Sequence, residues 1–455
     1  MGSAAPASSA LQHRTLHKEY AEAVGGDGVY VIRSDGSRVL DGCCGAAVSC
    51  LGHSDKVVID AIVKQAQTMP FVHGSFFTNG PAEQLAKLLV DSSDGAFSKA
   101  VFLSSGSEAV ETALKLARQH HLCNGQPQRW KYIAREGSYH GNTIGALSAS
   151  HNPQRRVPFA PLLSPAFRHV APCFFSRDGS SGEDEKAYVE RLLAEYETVF
   201  QREGPETIAA VIVEPVAGAT LGAVPASKGY LSGLRKLCDR YGVLLIFDEV
   251  MCGLGRVGTT HAWQSLGGIK PDLQTIGKGL AAGYQPISGV LIGPSVVESM
   301  EHGEHGSPFV GGISSNVQIL TLTPWRVQIS AHTYQAHPIA CAAALATQHT
   351  IASRHLLDNV QKMGILLRQS LSRLPHVHEV RGIGLFLAVE FASKTGKPIA
   401  SSVAQACLER GAAVYLCASL VDAVMLAPPF IIAPEEVEKL VATLEEAVVA
   451  VATRA

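Results

Sequence analysis

Three short stretches of this sequence hold residue types that could do chemistry together. Ser104-Ser105-Gly106-Ser107-Glu108-Ala109 stands between an apolar run and a segment of helical spacing. Small residues let a backbone approach an anion closely. The first turn of a helix presents unpaired N–H groups at the positive end of its dipole, so a phosphate is a natural guest. The same residues also spell an ordinary capping box with Ser105 or Ser107 as the cap. Asp248 closes the run Val243-Leu244-Leu245-Ile246-Phe247. A carboxylate there is costly to bury unless a cation meets it. A protonated ring nitrogen of a ligand would serve, and so would a nearby arginine. Lys278 lies between Gly277 and Gly279 in otherwise apolar surroundings. Desolvation lowers an ammonium pKa and frees the amine to attack a carbonyl, whereas a lysine that merely snorkels belongs on a long amphipathic helix. Together the stretches offer a phosphate cradle, a carboxylate for a ring nitrogen and a desolvated amine, in that order.

These residues need a scaffold that brings distant segments to one edge. Residues 28–41 read as a hairpin around Ser34-Asp35-Gly36-Ser37, and 55–68 and 81–92 carry helical apolar spacing, with Pro81 placed at a helix start. From about 100 to 295 strand and helix signals alternate. The runs 100–103, 209–214 and 243–250 are continuous and apolar, as in strands buried on both faces, with helices expected near 107–121 and 227–240. A strand, a helix and a second strand in this order predict a parallel sheet, and ligands bind outside the carboxyl ends of such strands. Residues 384–391 read as one more strand, and a helix is expected from 434 onward. The pattern predicts a large α/β domain and a smaller domain assembled from both chain ends.

The chain has 455 residues, 46% hydrophobic and 17% charged, which suits a large multi-domain α/β enzyme and not a disordered or fibrous chain. A formal net charge of −2 leaves no footprint for nucleic acid or a polybasic membrane patch. No apolar run approaches the roughly 18 residues of a membrane helix. The ten cysteines form no CxxC pair, which fits reduced thiols. The start MGSAAPASSA has neither the charged region nor the apolar stretch of a signal peptide, and a cytoplasmic location is the expectation.

The sequence resembles the class III (ornithine/ω-amino acid type) aminotransferases. The resemblance rests on SSGSEAVETALKLAR (104–118), SYHGNT (138–143), VEP (213–215), FDEV…GLGRVG (247–258), PDLQTIGKGLAAGYQPISGVLIG (271–293), HTYQAHPIACAAALA (332–346) and RGIGLFLAVE (381–390). It spans about residues 14 to 450 with the motifs in family order. It implies the α/β architecture called PLP fold type I: a large central, mostly parallel-sheet α/β domain with a smaller α+β domain from both chain ends. The expected division is a flexible tail over 1–12, small-domain residues over 13–70, a large cofactor-binding domain over 71–340 and C-terminal small-domain residues over 341–455.

The resemblance implies pyridoxal 5′-phosphate as cofactor and Lys278 as the residue that forms the Schiff base with it and shuttles protons. It implies that Asp248 pairs with the pyridine nitrogen, that Val250 packs on one ring face, and that Tyr139 stacks on the other with His140 beside it. Ser105, Gly106 and Ser107 would hold the phosphate. Glu214 would be a nearby carboxylate, and Thr333 would reach the phosphate of a partner subunit, which implies a homodimer with shared active sites. Ser75, Phe76 and Phe77 would line a small aromatic entrance. The substrates implied are a small-molecule amino donor and an oxo-acid acceptor, exchanged by a ping-pong mechanism, with no metal.

The sequence departs from the family pattern in three places. Ala219 stands where ornithine-type members carry Glu, and 411–430, where a carboxylate-gripping arginine is expected, contains none. Both halves of that pair are missing together, which points to a primary amine donor, or one whose carboxylate lies far from the reacting carbon. Met251 replaces a frequent Gln, and a thioether accepts hydrogen bonds poorly. GGISSNVQILTLTPWRVQIS (311–330) interrupts a motif that relatives run through directly, as a specificity loop or as a translated intron. Gly253-Leu254-Gly255-Arg256-Val257-Gly258 fits GxGxxG, but it follows the acidic strand end without a helix, the wrong context for a dinucleotide site. An aminomutase, epimerase or decarboxylating enzyme on the same fold, or a homologue silenced by the insert, are the alternatives.

Overall fold

The computed structural model describes residues 10–15, 18–302, 331–392 and 396–453. The segment 311–330 lies outside the described residues. The chain opens with strands β1 (Ala23–Asp27), β2 (Tyr30–Arg33) and β3 (Arg38–Asp41), antiparallel neighbours, with β2 and β3 joined as the hairpin expected over 28–41. Helices α1 (Lys56–Thr68) and α2 (Gly80–Asp91) follow. Asp55 and Asn79 cap them by accepting from the amides of Val57 and Ala82, and Pro81 stands in the first turn of α2.

The large domain is then laid down as β4 (Lys99–Leu103), α3 (Gly106–Cys123), β5 (Lys131–Arg135), β6 (Phe167–Val170), α4 (Glu185–Glu203), β7 (Ile208–Val213), α5 (Tyr230–Tyr241), β8 (Leu244–Asp248), β9 (Leu273–Ile276) and β10 (Ser288–Ile292). Seven strands form one sheet in the order β4-β10-β9-β8-β7-β5-β6. Every pair is parallel except the two made by β10, which runs against both β9 and β4. Side chains of successive residues enter different cores on the two faces. Ile133, Val211 and Leu245 join one cluster, while Ala134, Ile212 and Ile246 join the other. This explains why the strands read as continuous apolar runs and not as alternation. Each such aliphatic side chain contributes about 1.5–3 kcal/mol by leaving water. The helix between β7 and β8 stops at Gly242, whose φ of 62° is the left-handed ending that favours glycine.

The second domain is built by α6 (Pro338–Ser353), α7 (Leu356–Leu371), β11 (Val377–Ile383), β12 (Phe386–Phe391), α8 (Ala400–Glu409), β13 (Ala412–Ala413), β14 (Tyr415–Leu416), β15 (Ala423–Leu426) and α9 (Pro434–Ala452). The run 384–391 is not one strand from its start. Gly384, at φ 58°, lies in a tight turn, and the chain doubles back so that β11 and β12 pair antiparallel. β13 pairs parallel with β3, placing Ala412 opposite Leu40 and Ala413 opposite Asp41, so one sheet holds both ends of the chain. The GxGxxG stretch is structural. Buried Arg256 donates to the carbonyls of Leu385 and Pro428 and lies 4.6 Å from the Phe430 ring, fastening the large domain to the small one. No helix begins at Gly258, and the next starts at Ala262. All ten cysteines are buried free thiols. Among the described residues no helix is long and apolar enough to cross a membrane.

Candidate active site

Five strand ends deliver the site. β4 runs into Gly106 and Ser107, β5 into Tyr139 and His140, β7 into Glu214, β8 ends on Asp248, and β9 runs into Lys278. All five strands point the same way, so these residues collect at one edge of the sheet. They meet in a cavity of about 460 Å³ lined by Gly106, Ser107, Tyr139, His140, Glu214, Asp248, Val250 and Lys278.

At the start of α3, Ser105 makes the capping box, while Gly106 and Ser107 line the cavity. Ser105 is the cap: its Oγ accepts from the Glu108 amide, while Glu108 Oε2 accepts from the amides of Ser104 and Ser105. Ser105, expected with its neighbours to hold a phosphate, gives its amide to Glu108, accepts the Glu108 amide through Oγ and does not line the cavity. Gly106 and Ser107 follow it with first-turn amides that no helical carbonyl can reach. The Ser107 hydroxyl accepts from the Asn142 amide at 2.9 Å, which leaves its own proton to donate. A Cβ on Gly106 would lie 2.8 Å from Val250 Cγ1, so glycine lets the helix start approach the Val250 side chain.

Asp248 is buried and its carboxylate is oriented from three sides. Oδ2 lies 2.7 Å from Nδ1 of His140; Oδ1 accepts from the Thr275 hydroxyl at 2.9 Å and the Val250 amide at 3.1 Å. Thr275 is directly across the β8–β9 ladder from Asp248. His140 is itself fully buried, and among the described residues its Nε2 has no hydrogen-bond partner. Glu214 accepts from the Gly218 amide through Oε1, but among the described residues its Oε2 has no hydrogen-bond partner, and the Arg135 Nη2 stands 4.0 Å away. Burial pushes the Glu214 carboxyl up, against the pull of His140 and Arg135.

Lys278 opens to the cavity while protein crowds its amine. Burial lowers its pKa from the ordinary lysine value, and the nearby carboxylates of Asp248 and Glu214 oppose the shift. Its backbone sits at φ 39°, a left-handed conformation costing a non-glycine residue on the order of 1–3 kcal/mol. Gly277 before it is extended, and a Cβ there would reach within 3.3 Å of Val250 Cγ1. Val250 is thus wedged between two glycines. Chemically, the cavity suits a flat ring with a phosphate at one end, a protonated nitrogen at the other and a carbonyl near Lys278.

Ser75, Phe76 and Phe77 do not line the cavity, and Phe76 and Phe77 are 76% and 67% exposed. Thr333, expected at the phosphate of a partner subunit, is exposed. The cavity wall opposite the sheet is made by Ala219 with Tyr415, Leu416, Cys417 and Ala418, and the Ala418 amide donates to the Ala219 carbonyl at 2.9 Å. Met251 lines the cavity too, its Sδ packed over Gly218. Sequence reading passed over Asn152, Arg155 and Arg14, which also line it. Their only signal was proximity to a matching motif or, for Arg14, none.

The sequence matches the class III aminotransferase family over residues 12–448. It is 40% identical over 439 residues to an uncharacterized aminotransferase of Schizosaccharomyces pombe, covering 93% of this chain and 91% of that protein. It is 33% identical over 429 residues to the mitochondrial gamma aminobutyrate transaminase 1 of Solanum lycopersicum, covering 91% of this chain and 78% of that protein. Its fold is similar to that of the omega transaminase from Pseudomonas jessenii in complex with PMP, with a TM-score of 0.87 and 31% identity over 96% of this chain and 93% of the other. The chain belongs to the class III aminotransferases and catalyses pyridoxal 5′-phosphate-dependent transamination.

Proposed function

We propose that the amino donor is a primary amine, or an amino acid whose carboxylate lies away from the reacting carbon, and that an oxo acid then takes the amino group in a ping-pong cycle. One observation carries this reading. The wall of Ala219 and Tyr415–Ala418 offers no arginine and no glutamate where an ornithine-type donor would need them. The names of an omega transaminase and a gamma aminobutyrate transaminase among similar proteins support it.

When bound, pyridoxal 5′-phosphate supplies a carbonyl for the donor amine and a ring that draws electrons from the adjacent carbon. Gly106 and Ser107 would hold its phosphate through their amides and the Ser107 hydroxyl, while Val250 and Tyr139 enclose the ring. Asp248, held in place by His140 and Thr275, would keep a proton on the ring nitrogen. Glu214 lines the same cavity as a second carboxyl group. Lys278 Nζ would take the proton from the donor carbon and deliver it to the cofactor's carbonyl carbon, acting as base and then acid. Its lowered pKa favours the free amine that the first step needs.

The working unit in this reading is a homodimer. Two pairs of aromatic side chains are exposed, Phe71 with Tyr334 at 6.0 Å and Phe76 with Phe77 at 6.5 Å, and Thr333 precedes Tyr334 in the chain. Such exposed pairs are what a partner subunit covers. The test is a donor panel with pyruvate or 2-oxoglutarate as acceptor. Butylamine, 1-phenylethylamine, β-alanine and 4-aminobutyrate are expected to outperform ornithine and acetylornithine. Preference for either of the last two would overturn the donor assignment.

A further inference from the structure

The missing arginine in 411–430 leaves a chemical gap, because an oxo-acid acceptor carries a carboxylate that must be held. This inference rests on the transamination reading above. The cavity's own carboxylates, Asp248 and Glu214, are buried and already face His140, Thr275 and Gly218. Two guanidinium groups line the same cavity, those of Arg14 and Arg155, and among the described residues neither has a carboxylate partner. Arg155 sits in the short helix Pro153–Arg156, which begins after buried Asn152. Its neighbour Arg156 is committed to structure: Nη1 donates to the Ser150 carbonyl at 2.6 Å and stands 3.1 Å from the His169 ring. Arg155 instead lies over the Tyr139 ring, 4.9 Å from its centroid, exposed and facing the cavity.

We propose that Arg155, braced on Tyr139, is the residue that grips the substrate carboxylate, with Arg14 as a second cation on the same cavity. A guanidinium presents a planar fork matched to a carboxylate, and stacking on an aromatic ring holds that fork without satisfying its donors. Its exposure keeps the grip reversible, as an enzyme that must bind and release two substrates in turn requires. The cavity then has a negative floor at Asp248 and Glu214 and positive arginines towards the solvent, which suits a molecule with an amine or carbonyl at one end and a carboxylate at the other.

The test separates the half-reactions by following the cofactor absorbance in holoenzyme carrying Arg155→Gln, Arg155→Lys or Arg14→Gln. For Arg155→Gln, KM for pyruvate and 4-aminobutyrate is expected to rise about 30-fold with kcat within about twofold, while butylamine and butanal are unaffected. Arg155→Lys should recover part of the loss, and Arg14→Gln should show a smaller one. Calorimetric binding of unreactive glutarate should weaken in parallel. Loss confined to pyruvate would place the grip on the acceptor, and loss confined to 4-aminobutyrate on the donor; either supports the proposal. Unchanged KM for both, or an equal fall for carboxylate-free partners, would overturn it. If wild-type protein turned over no donor at all, the transamination reading would fail, and glutarate binding would still decide the role of Arg155.

Discussion

His140 Nδ1 lies 2.7 Å from Asp248 Oδ2, and both side chains are buried. The ionised carboxylate can only accept, so Nδ1 carries the proton, and the hydrogen bond fixes the imidazole tautomer and the carboxylate plane together. Asp248→Asn keeps the shape but removes the charge that, in the proposed mechanism, would hold a proton on the ring nitrogen. We expect kcat to fall about 100- to 1000-fold, with the amide able to keep the Thr275 contact. His140→Ala leaves the charge but frees its plane, and a loss of about tenfold, or 1.4 kcal/mol, is expected. Steady-state kinetics on the two variants with one good donor checks the ranking; equal losses would mean that His140 does more than orient.

Gly106 makes a different kind of contribution. A methyl group there would fall 2.8 Å from Val250 Cγ1, at a helix position whose backbone alanine can otherwise adopt. Overpacking of that size costs about 1–3 kcal/mol. Gly106→Ala is therefore expected to lower the melting temperature of the apoprotein and, by displacing Val250 at the cavity wall, to weaken cofactor binding about 10-fold. Val250→Ala in the same chain should restore much of the affinity, since it removes the colliding methyl. Equilibrium dialysis of pyridoxal 5′-phosphate against the four members of this cycle reads the coupling directly.

Much of this architecture is written in local signals. The runs at 209–214 and 243–250 are apolar because both sheet faces are covered, and Asp248 stands out against them for that reason. Lys278 is legible because glycines flank it where a surface lysine has no need of them. The small-domain sheet was not legible in detail. Pairing of Ala412 with Leu40 depends on bringing together residues more than 370 positions apart, and two alanines carry no strand signal. The turn at Gly384 hid within a run that otherwise reads as one strand. At the site, Ser105 shows the limit of composition: a serine beside a helix start can cap or bind an anion, and the cap it makes with Glu108 is not legible in the residue types alone. Arg155 was silent because nothing in the pair Arg155-Arg156 says which member turns to the backbone and which to the cavity.

The exposed pair of Phe76 and Phe77 tests the dimer. Phe76 and Phe77 are more exposed than large apolar side chains usually are in a monomer, and their rings lie 6.5 Å apart. Phe76→Glu with Phe77→Glu should leave the fold intact, since neither residue is in the core, yet weaken self-association by more than tenfold. Sedimentation at several concentrations, with circular dichroism as the fold control, measures both. If the subunits share their sites, activity should fall with the dimer fraction and recover at high protein concentration.

The amine of Lys278 sets the last prediction. Burial lowers its pKa from the ordinary value of 10.5, and Asp248 and Glu214 only partly restore it. A lowered pKa means the proton leaves at lower pH, so the fraction of free amine rises with pH and levels off below the ordinary lysine range. The single-turnover rate with a donor in excess should therefore climb to a plateau before pH 10.5. Replacing Glu214 with Gln removes one of the two carboxylates that favour the charged form, so the limb should move to lower pH, whereas Asp248→Asn should move it the same way while also lowering the plateau. Lys278→Ala should lose the limb together with at least three orders of magnitude in rate, because among the described residues no other lysine lines the cavity. Added methylamine should restore part of that rate, with a dependence on pH that follows the pKa of the added amine and not that of the protein.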